Sequence, residues 1–435
     1  MERPIPRLPA VLIACVVLIA AAANHPPARA QMRGHGGPIR ALAISSDGVT
    51  ALSGSFDTSA IRWSLQRDSA EQVLRFHEGA VNAVALLADG RAVTAGEDAR
   101  IAIWTPGKPE PDTILEGHQG PIAALAVSPD GTILASGSWD RTIRLWPLAG
   151  GAPRLLEGHQ QNVNGVAFTP DGKALVSAGY DATLRIWPLR EGAAPLVATL
   201  PAPLNAVTTA PDGEIIAAGA DGKVYFLSPA GERRDALELS ATPVIALALS
   251  QDGERLAAAS IDGSVVVIDR KARALGPALS GPGLPVWSMA FLPDNRTLLT
   301  GGGDRMIRRW DCATGDPIGA GASGGSVDPL AAYAGDPGAQ VFRACVACHT
   351  LKADEGNRAG PTLHGVFGRR IATLPGYNFS PALKHLDIVW TPETVAKLFE
   401  IGPAAYTPGT KMPEQRIGSP EDRQALVTFL EQATK

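Results

Sequence analysis

Aromatic residues make up only 5% of this 435-residue chain, and neither sign of charge dominates, with 39 Lys and Arg against 43 Asp and Glu. That balance excludes the basic footprint that nucleic-acid binding requires, so no nucleic-acid partner is expected. Four cysteines are too few for a fold stapled by disulfides. Charged residues at 19% beside apolar ones at 45% exclude a mostly disordered chain. Few aromatics together with 47 Gly and 36 Pro speak for many short strands joined by turns rather than for long helices. The length has room for two or three domains.

A long hydrophobic run is also missing, and the one short run has a different meaning. Arg3 and Arg7 precede apolar residues 10–23, and Pro26-Pro27 and Ala28-Arg29-Ala30 follow. The run falls short of the roughly 20 residues that a spanning helix needs. Its order of charged start, apolar middle and small-x-small end is that of a secretory signal. Residues 1–30 are therefore expected to be a signal peptide cleaved after Ala30, giving a periplasmic protein with no membrane span; an uncleaved anchor is the alternative. Leu12-Ile13-Ala14-Cys15 resembles a lipoprotein cleavage box, but residues 16–23 stay apolar where such proteins turn polar. Cleavage removes Cys15 and leaves Cys312, Cys345 and Cys348.

The rest of the first two thirds is periodic. Trp63, Trp104, Trp146, Trp187, Leu227, Ile268 and Trp310 follow one another at spacings of 41, 42, 41, 40, 41 and 42 residues. Six residues before each stands an aspartate: Asp57, Asp98, Asp140, Asp181, Asp221, Asp262 and Asp304. Turns such as Pro129-Asp130-Gly131 separate short alternating runs, the marks of hairpin-linked strands. With His35, His77, His118 and His159 opening four of the copies, residues 31–322 resemble the WD-repeat family. The resemblance implies an all-β seven-bladed propeller in which His118, Ser136, Asp140 and Trp146, and their counterparts, form a buried hydrogen-bonded set. Copies five and six depart, with Ala217 and Ala258 for the hydroxyl and no His, and are expected to rely on apolar packing. The four His and seven Asp, never more than one of each per copy, follow the repeat instead of breaking it, which argues against metal binding or catalysis. Trp139 and Tyr180 are candidates for a protein-binding surface, and Cys312 for a buried small hydrophobe. Either residues 31–34 or the stretch after Thr314 is expected to close blade seven.

A Gly- and Ser-rich linker is expected at residues 323–334, followed by a helix opening at Asp336-Pro337. That helix runs into Cys345-Val346-Ala347-Cys348-His349, the C-x-x-C-H pattern of covalent haem attachment. A bare C-x-x-C would also suit a redox dithiol or half a zinc site, but no further cysteine pair or nearby ligands accompany it. Gly360-Pro361, Gly365, Gly368-Arg369 and Pro408-Gly409-Thr410-Lys411-Met412 then follow. On these motifs residues 335–435 resemble a class I cytochrome c, so an all-α domain with one haem c is implied. The resemblance makes His349 and Met412 the axial iron ligands, Pro361 the carbonyl that orients His349, and Arg369, Tyr377, Trp390 and Thr410 the groups around the propionates. Phe379 stands where many relatives have a second Tyr, and His364 and His385 fall in segments that do not ligate. A terminal helix is expected from Ser419-Pro420, with Leu426, Val427, Phe429 and Leu430 packing near Val341 and Phe342.

Two strong axial ligands leave no open iron site, which points to an exported single-electron carrier with no catalytic residues and with the propeller as a protein-binding platform. Its expected partners are an exported redox protein, oxidase or dehydrogenase at the haem edge and a protein on the propeller. The haem segment has 11 positive and 10 negative groups, and Ala404 and Ala405 occupy positions that are Lys in mitochondrial relatives. A propeller oxidoreductase whose haem is the electron exit is the alternative.

Overall fold

A computed structural model describes residues 31–435 apart from 282, 320–329, 344, 347, 354–356, 359, 376, 378, 411, 413 and 414. The expected signal peptide and most of the expected linker lie outside the described residues. Among the described residues no helix is long and apolar enough to cross a membrane.

Strands form seven separate four-stranded antiparallel sheets, one per repeat. In the first, Ile39–Ile44, Thr50–Ser55, Ser59–Ser64 and Ser69–Arg75 follow one another from the inside of the ring outward. The inner strand of every sheet slips register at one residue, Arg40, Asn82, Ala123, Asn164, Asn205, Ile245 or Trp287 in turn. A bulge at that fixed place bends each strand and re-aims one side chain. Both candidates for closing blade seven contribute. Gln31–Arg33 pairs with Arg308, Ile307 and Met306, while Pro317 bridges Trp310 on the same edge and Ile318 donates its N–H to the Arg309 carbonyl. The outer edge is thereby shared by the two ends of the propeller, and little of it is left unpaired.

The repeated polar set is present in four blades. In the third, His118 Nδ1 donates to Asp140 at 2.8 Å, Ser136 Oγ lies 2.7 Å from His118 Nε2, and Trp146 Nε1 donates to Ser136 Oγ at 2.8 Å. Because the serine oxygen accepts from the indole, its own proton is free to go to Nε2, so each buried group has a partner. Burial pushes the Asp140 carboxyl up, but hydrogen bonds from His118 and Thr142 outweigh it and hold the group well below the usual range. Blades five to seven use other means. Apolar packing is not the whole of it in blade five, where the buried Tyr225 hydroxyl donates to Asp221, nor in blade six, where Asp262 takes the Ser264 N–H at 2.9 Å and its Oγ at 2.7 Å. Blade seven keeps Trp310 Nε1 on Thr300 Oγ1 at 2.9 Å, and its Asp304 receives Arg308 instead of an imidazole. Cys312 is buried beside Trp310.

The haem segment is helical but dominated by loops, with α1 at Pro337–Phe342, α2 at Pro381–Lys384, α3 at Pro392–Ile401, α4 at Pro403–Tyr406 and α5 at Pro420–Ala433. Asp336 caps α1 by accepting from the N–H groups of Gly338 and Ala339 at 2.7 and 3.0 Å, and Ser419 caps α5 by accepting from Asp422 N–H at 3.0 Å. The two helices cross at Gly338, where a Cβ would collide with the Ala425 carbonyl oxygen. Phe342 and Phe429 meet there at 5.5 Å between ring centres. The linker is shorter than expected: Leu330 is buried in this core, and Tyr333 packs edge-on against Phe429 at 5.1 Å, so residues 330–334 already belong to the domain.

Replacing Asp140 by Ala leaves His118 and Gln119 N–H short of an acceptor, at an expected cost of about 1–3 kcal/mol. Denaturant melts should register that loss with the Soret band unchanged; an unaltered unfolding midpoint would contradict it. In the second blade, burial raises the Asp98 carboxyl but the bonds from His77 prevail and bring it from 3.8 to about 2. A depressed carboxylate stabilises the fold fully above its unfolded value and loses that contribution as pH falls through the folded one. Propeller stability should therefore decline between pH about 4 and 2, as followed by far-ultraviolet circular dichroism against pH.

Candidate haem site

The C-x-x-C-H segment continues from α1 as a further turn. Cys348 N–H donates to the Cys345 carbonyl at 3.1 Å and His349 N–H to the same oxygen at 3.0 Å. Residues three and four apart share a face in such a turn, so both sulfurs and the imidazole are turned to one side. That side is a cavity of about 540 Å³ between α1, α3, α5 and the connecting loops. All nine residues singled out in the sequence line it: Cys345, Cys348, His349, Pro361, Arg369, Tyr377, Trp390, Thr410 and Met412. Phe342, Leu398, Leu426 and Leu430 back it with apolar surface. His364 and His385 do not line it.

His349 is held from behind. Its Nδ1 donates to the Pro361 carbonyl at 2.7 Å, which leaves Nε2 as the unprotonated nitrogen on the cavity side. Gly360 is packed so closely that a Cβ there would run into the imidazole ring. Burial lowers the His349 pKa more than the Pro361 bond raises it, so the ring is kept neutral, the state in which an imidazole donates a lone pair. Burial also pushes the Cys345 thiol up to about 12 and the Cys348 thiol up to about 11. Thiols so raised are poor redox nucleophiles, which disfavours the dithiol reading of the motif. Among the described residues no group of three or more His, Cys, Asp or Glu is arranged to hold a metal ion.

Opposite, the loop bearing Met412 is fixed by short-range bonds. Thr410 N–H donates to the Thr407 carbonyl at 3.1 Å, Met412 N–H donates to Thr410 Oγ1 at 3.1 Å, and Ser380 Oγ–H donates to the Gly409 carbonyl at 2.7 Å. Gly409 has a φ of 81° and lies against Ala382 of α2, two reasons for glycine at that position. The Arg369 guanidinium spans the carbonyls of His364 and Thr362 at 3.1 and 3.0 Å. An elongated apolar cleft with two thiols and a neutral imidazole on one wall, and a thioether and polar groups on others, fits a haem bound edge-in.

A wall from the propeller had no counterpart in the sequence expectations. Gly36, Gly37, Phe56, Asp57, Thr58, Arg75 and Glu78, all at one end of blades one and two, also line the cavity. Tyr377, expected near a propionate, instead receives Arg75 Nε at 2.9 Å on its hydroxyl while still facing the cleft. One signal in the sequence pointed this way, glycine at position 36 where sister repeats have Glu78, Gln119 and Gln160; arginine at 75 differs from Glu116 and Glu157 but has its like in Arg33. Trp139 and Tyr180 are 43% and 45% exposed, outside this contact and open to solvent.

Comparison with known proteins agrees with both parts. The family described as "WD domain, G-beta repeat" matches at residues 28–64, 69–105, 109–147, 152–188, 236–269 and 276–311, and the family "Cytochrome c" matches at 335–434. The unmatched stretch is blade five, which lacks the His, the hydroxyl and the Trp of the pattern but folds as its neighbours do. Over 99 residues, 22% of this chain, the segment is 48% identical to cytochrome c of Cochliobolus lunatus and 46% identical to that of Arabidopsis thaliana, covering 91% and 88% of those proteins. These likenesses imply one covalently bound haem c.

Gly360→Ala should force the His349 ring from its place. The expected result is a lower melting temperature of the haem domain, by several degrees on the scale of about 4–8 °C per kcal/mol for a domain of this size, with a broadened Soret band. An unchanged melt and spectrum would show that the approach is not tight.

Proposed function

This chain belongs to two families, the WD-repeat propellers and the cytochromes c, and from that premise we propose that it is an exported single-electron carrier whose haem c is ligated by His349 and Met412. Haem c supplies reversible exchange of one electron between ferric and ferrous iron. Cys345 and Cys348 tether the group by thioether bonds, so it does not dissociate with the redox cycle. Pro361 holds the Nδ1 proton of His349 and so keeps Nε2 available as the ligand. Met412 would hold the iron from the other loop with a thioether, a ligand that favours the reduced state. Arg369, Trp390 and Thr410 would hold the propionate end, where a carboxylate entering an apolar cleft needs donors.

With His349 and Met412 both holding the iron, no place for substrate would be left there, so the residues are given binding and orienting roles and none a catalytic one. The observation that carries this reading is the convergence of nine residues, spread from Cys345 to Met412, on one apolar cleft with the His349 tautomer already fixed. Export is supported by the charged, apolar and small-x-small order of residues 1–30 and puts the carrier in the periplasm, where an exported oxidase or dehydrogenase is its counterpart. The exposed Trp139 and Tyr180 support a protein-binding role for the propeller.

Acid-acetone extraction should leave the colour on the polypeptide, and its loss to the organic phase would refute covalent attachment. Ferric wild-type protein should show the weak near-infrared sulfur-to-iron charge-transfer band, and Met412→Ala should lose it. Survival of the band in that variant would remove Met412 from the iron.

A further inference from the structure

Blade one departs from its sisters at the place where the haem domain meets it. In the four blades that begin with His, the next residue donates its N–H to the repeat aspartate: Gly36 to Asp57 at 2.7 Å, Glu78 to Asp98 at 3.2 Å, Gln119 to Asp140 at 2.9 Å and Gln160 to Asp181 at 2.7 Å. The loop is thus built alike in all four. Gly36 is also absent from the positive-φ glycines, so its backbone is one that any residue adopts. Glycine is required there for a different reason: a Cβ at 36 would strike Cys348 Sγ. A sulfur bonded to haem has no freedom to turn aside. The adjacent Gly37 serves as a control, because its Cβ would meet Asp57 N of its own blade at 2.9 Å, just as Gly120 is crowded by Asp140 N at 3.1 Å in blade three.

Arg75 is the second feature of this contact, in the register that Arg33 holds on the outer strand of blade seven. It ends the outer strand of blade one, opposite Ser59, and its Nε donates to the Tyr377 hydroxyl at 2.9 Å with the guanidinium carbon 5.7 Å from the ring centre. The acids nearby are already engaged, Asp57 by His35 at 3.0 Å and Glu78 by Arg100 at 3.2 Å. Among the described residues no carboxylate lies within ion-pair distance of Arg75; Asp57 and Glu78 line the same wall without pairing with it, so Arg75 is the positive charge set against them and the one in contact with Tyr377.

We propose that blade one is a working part of the haem site: Gly36 seats the Cys348 thioether, and Arg75 sets a positive charge at the covered haem edge that favours ferrous over ferric iron. The inference rests on haem attachment through Cys348. Two consequences follow from the contact. Water is kept from that edge, which further favours the less charged, reduced state. The propeller face at blade one is occupied by the chain's own haem domain, so an outside redox partner has to approach elsewhere.

The test is a potentiometric titration of full-length holoprotein carrying Arg75→Gln, Arg75→Lys or Gly36→Gln. Gly36→Gln introduces the residue that blades three and four carry at this position, so the blade itself tolerates it. Arg75→Gln should lower the midpoint potential by an amount on the order of a tenfold change in the electron-transfer equilibrium, ~59 mV for one electron, while Arg75→Lys should retain most of the wild-type value. Gly36→Gln should lower the potential and enlarge the radius of gyration seen by small-angle X-ray scattering as the domains part. Midpoints unchanged in both Gln variants, with haem still covalently bound, would overturn the proposal alone, as would an Arg75→Lys midpoint as low as that of Arg75→Gln. Haem that is not covalently bound in the wild type would instead overturn the attachment on which it rests.

Discussion

The bond from His349 Nδ1 to the Pro361 carbonyl, 2.7 Å long and buried, is the interaction on which the haem site depends. It decides the tautomer, and with it which nitrogen faces the cleft. It is reinforced from both sides: Gly360 N–H donates to the Cys348 carbonyl at 2.8 Å, and Leu363 N–H donates to the Thr350 carbonyl at 2.9 Å. The loop that follows the attachment motif is thereby laced to the motif itself. Helices α1 and α5 close the back of the cleft at a crossing tight enough to require Gly338. Short helices suffice because a large apolar ligand, not a protein core, is what much of this domain surrounds.

The propeller is organised differently, around one aspartate held at the same place in every blade, half-buried in six of them and exposed in blade six. Four blades give it a His backed by a hydroxyl and Trp, blade five gives it Tyr225 and blade seven Arg308, while blade six keeps the hydroxyl two residues on, Ser264, as Ser59, Thr142 and Thr183 do in blades one, three and four. The geometry of the turn is kept while the donor changes. Where the carboxylate is half-buried an unmet one would be costly, and any side chain that reaches it is acceptable; the exposed Asp262 can turn to water instead. Inter-blade contacts add to this, as where buried Arg270 of blade six pairs with Glu214 of blade five at 2.7 Å.

Much of this was legible in the sequence for physical reasons. A fixed spacing of Trp and Asp reports strands of fixed length, and C-x-x-C-H, Gly360-Pro361 and the Met412 loop report local turns whose chemistry is carried by adjacent residues. What was not legible depends on distance. Tyr225 as a substitute donor lies four residues from Asp221, but its role is visible only when the strand turns it inward. The joint closure of blade seven could not be chosen from either end alone. Arg75 and Tyr377 stand 302 positions apart, and nothing in a repeat period says which blade a second domain rests on. Gly36 was a readable exception to the repeat, but its meaning needed the position of Cys348.

One haem c in a cleft lined by two domains of one chain should behave as a single electron store. Spectroelectrochemical titration of the full-length holoprotein examines that most directly. The account predicts one reversible component that follows a one-electron Nernst curve, with ~59 mV per tenfold change in the oxidised-to-reduced ratio, and spectra that interconvert through fixed isosbestic points. A second component, a two-electron slope, or an irreversible wave would contradict it.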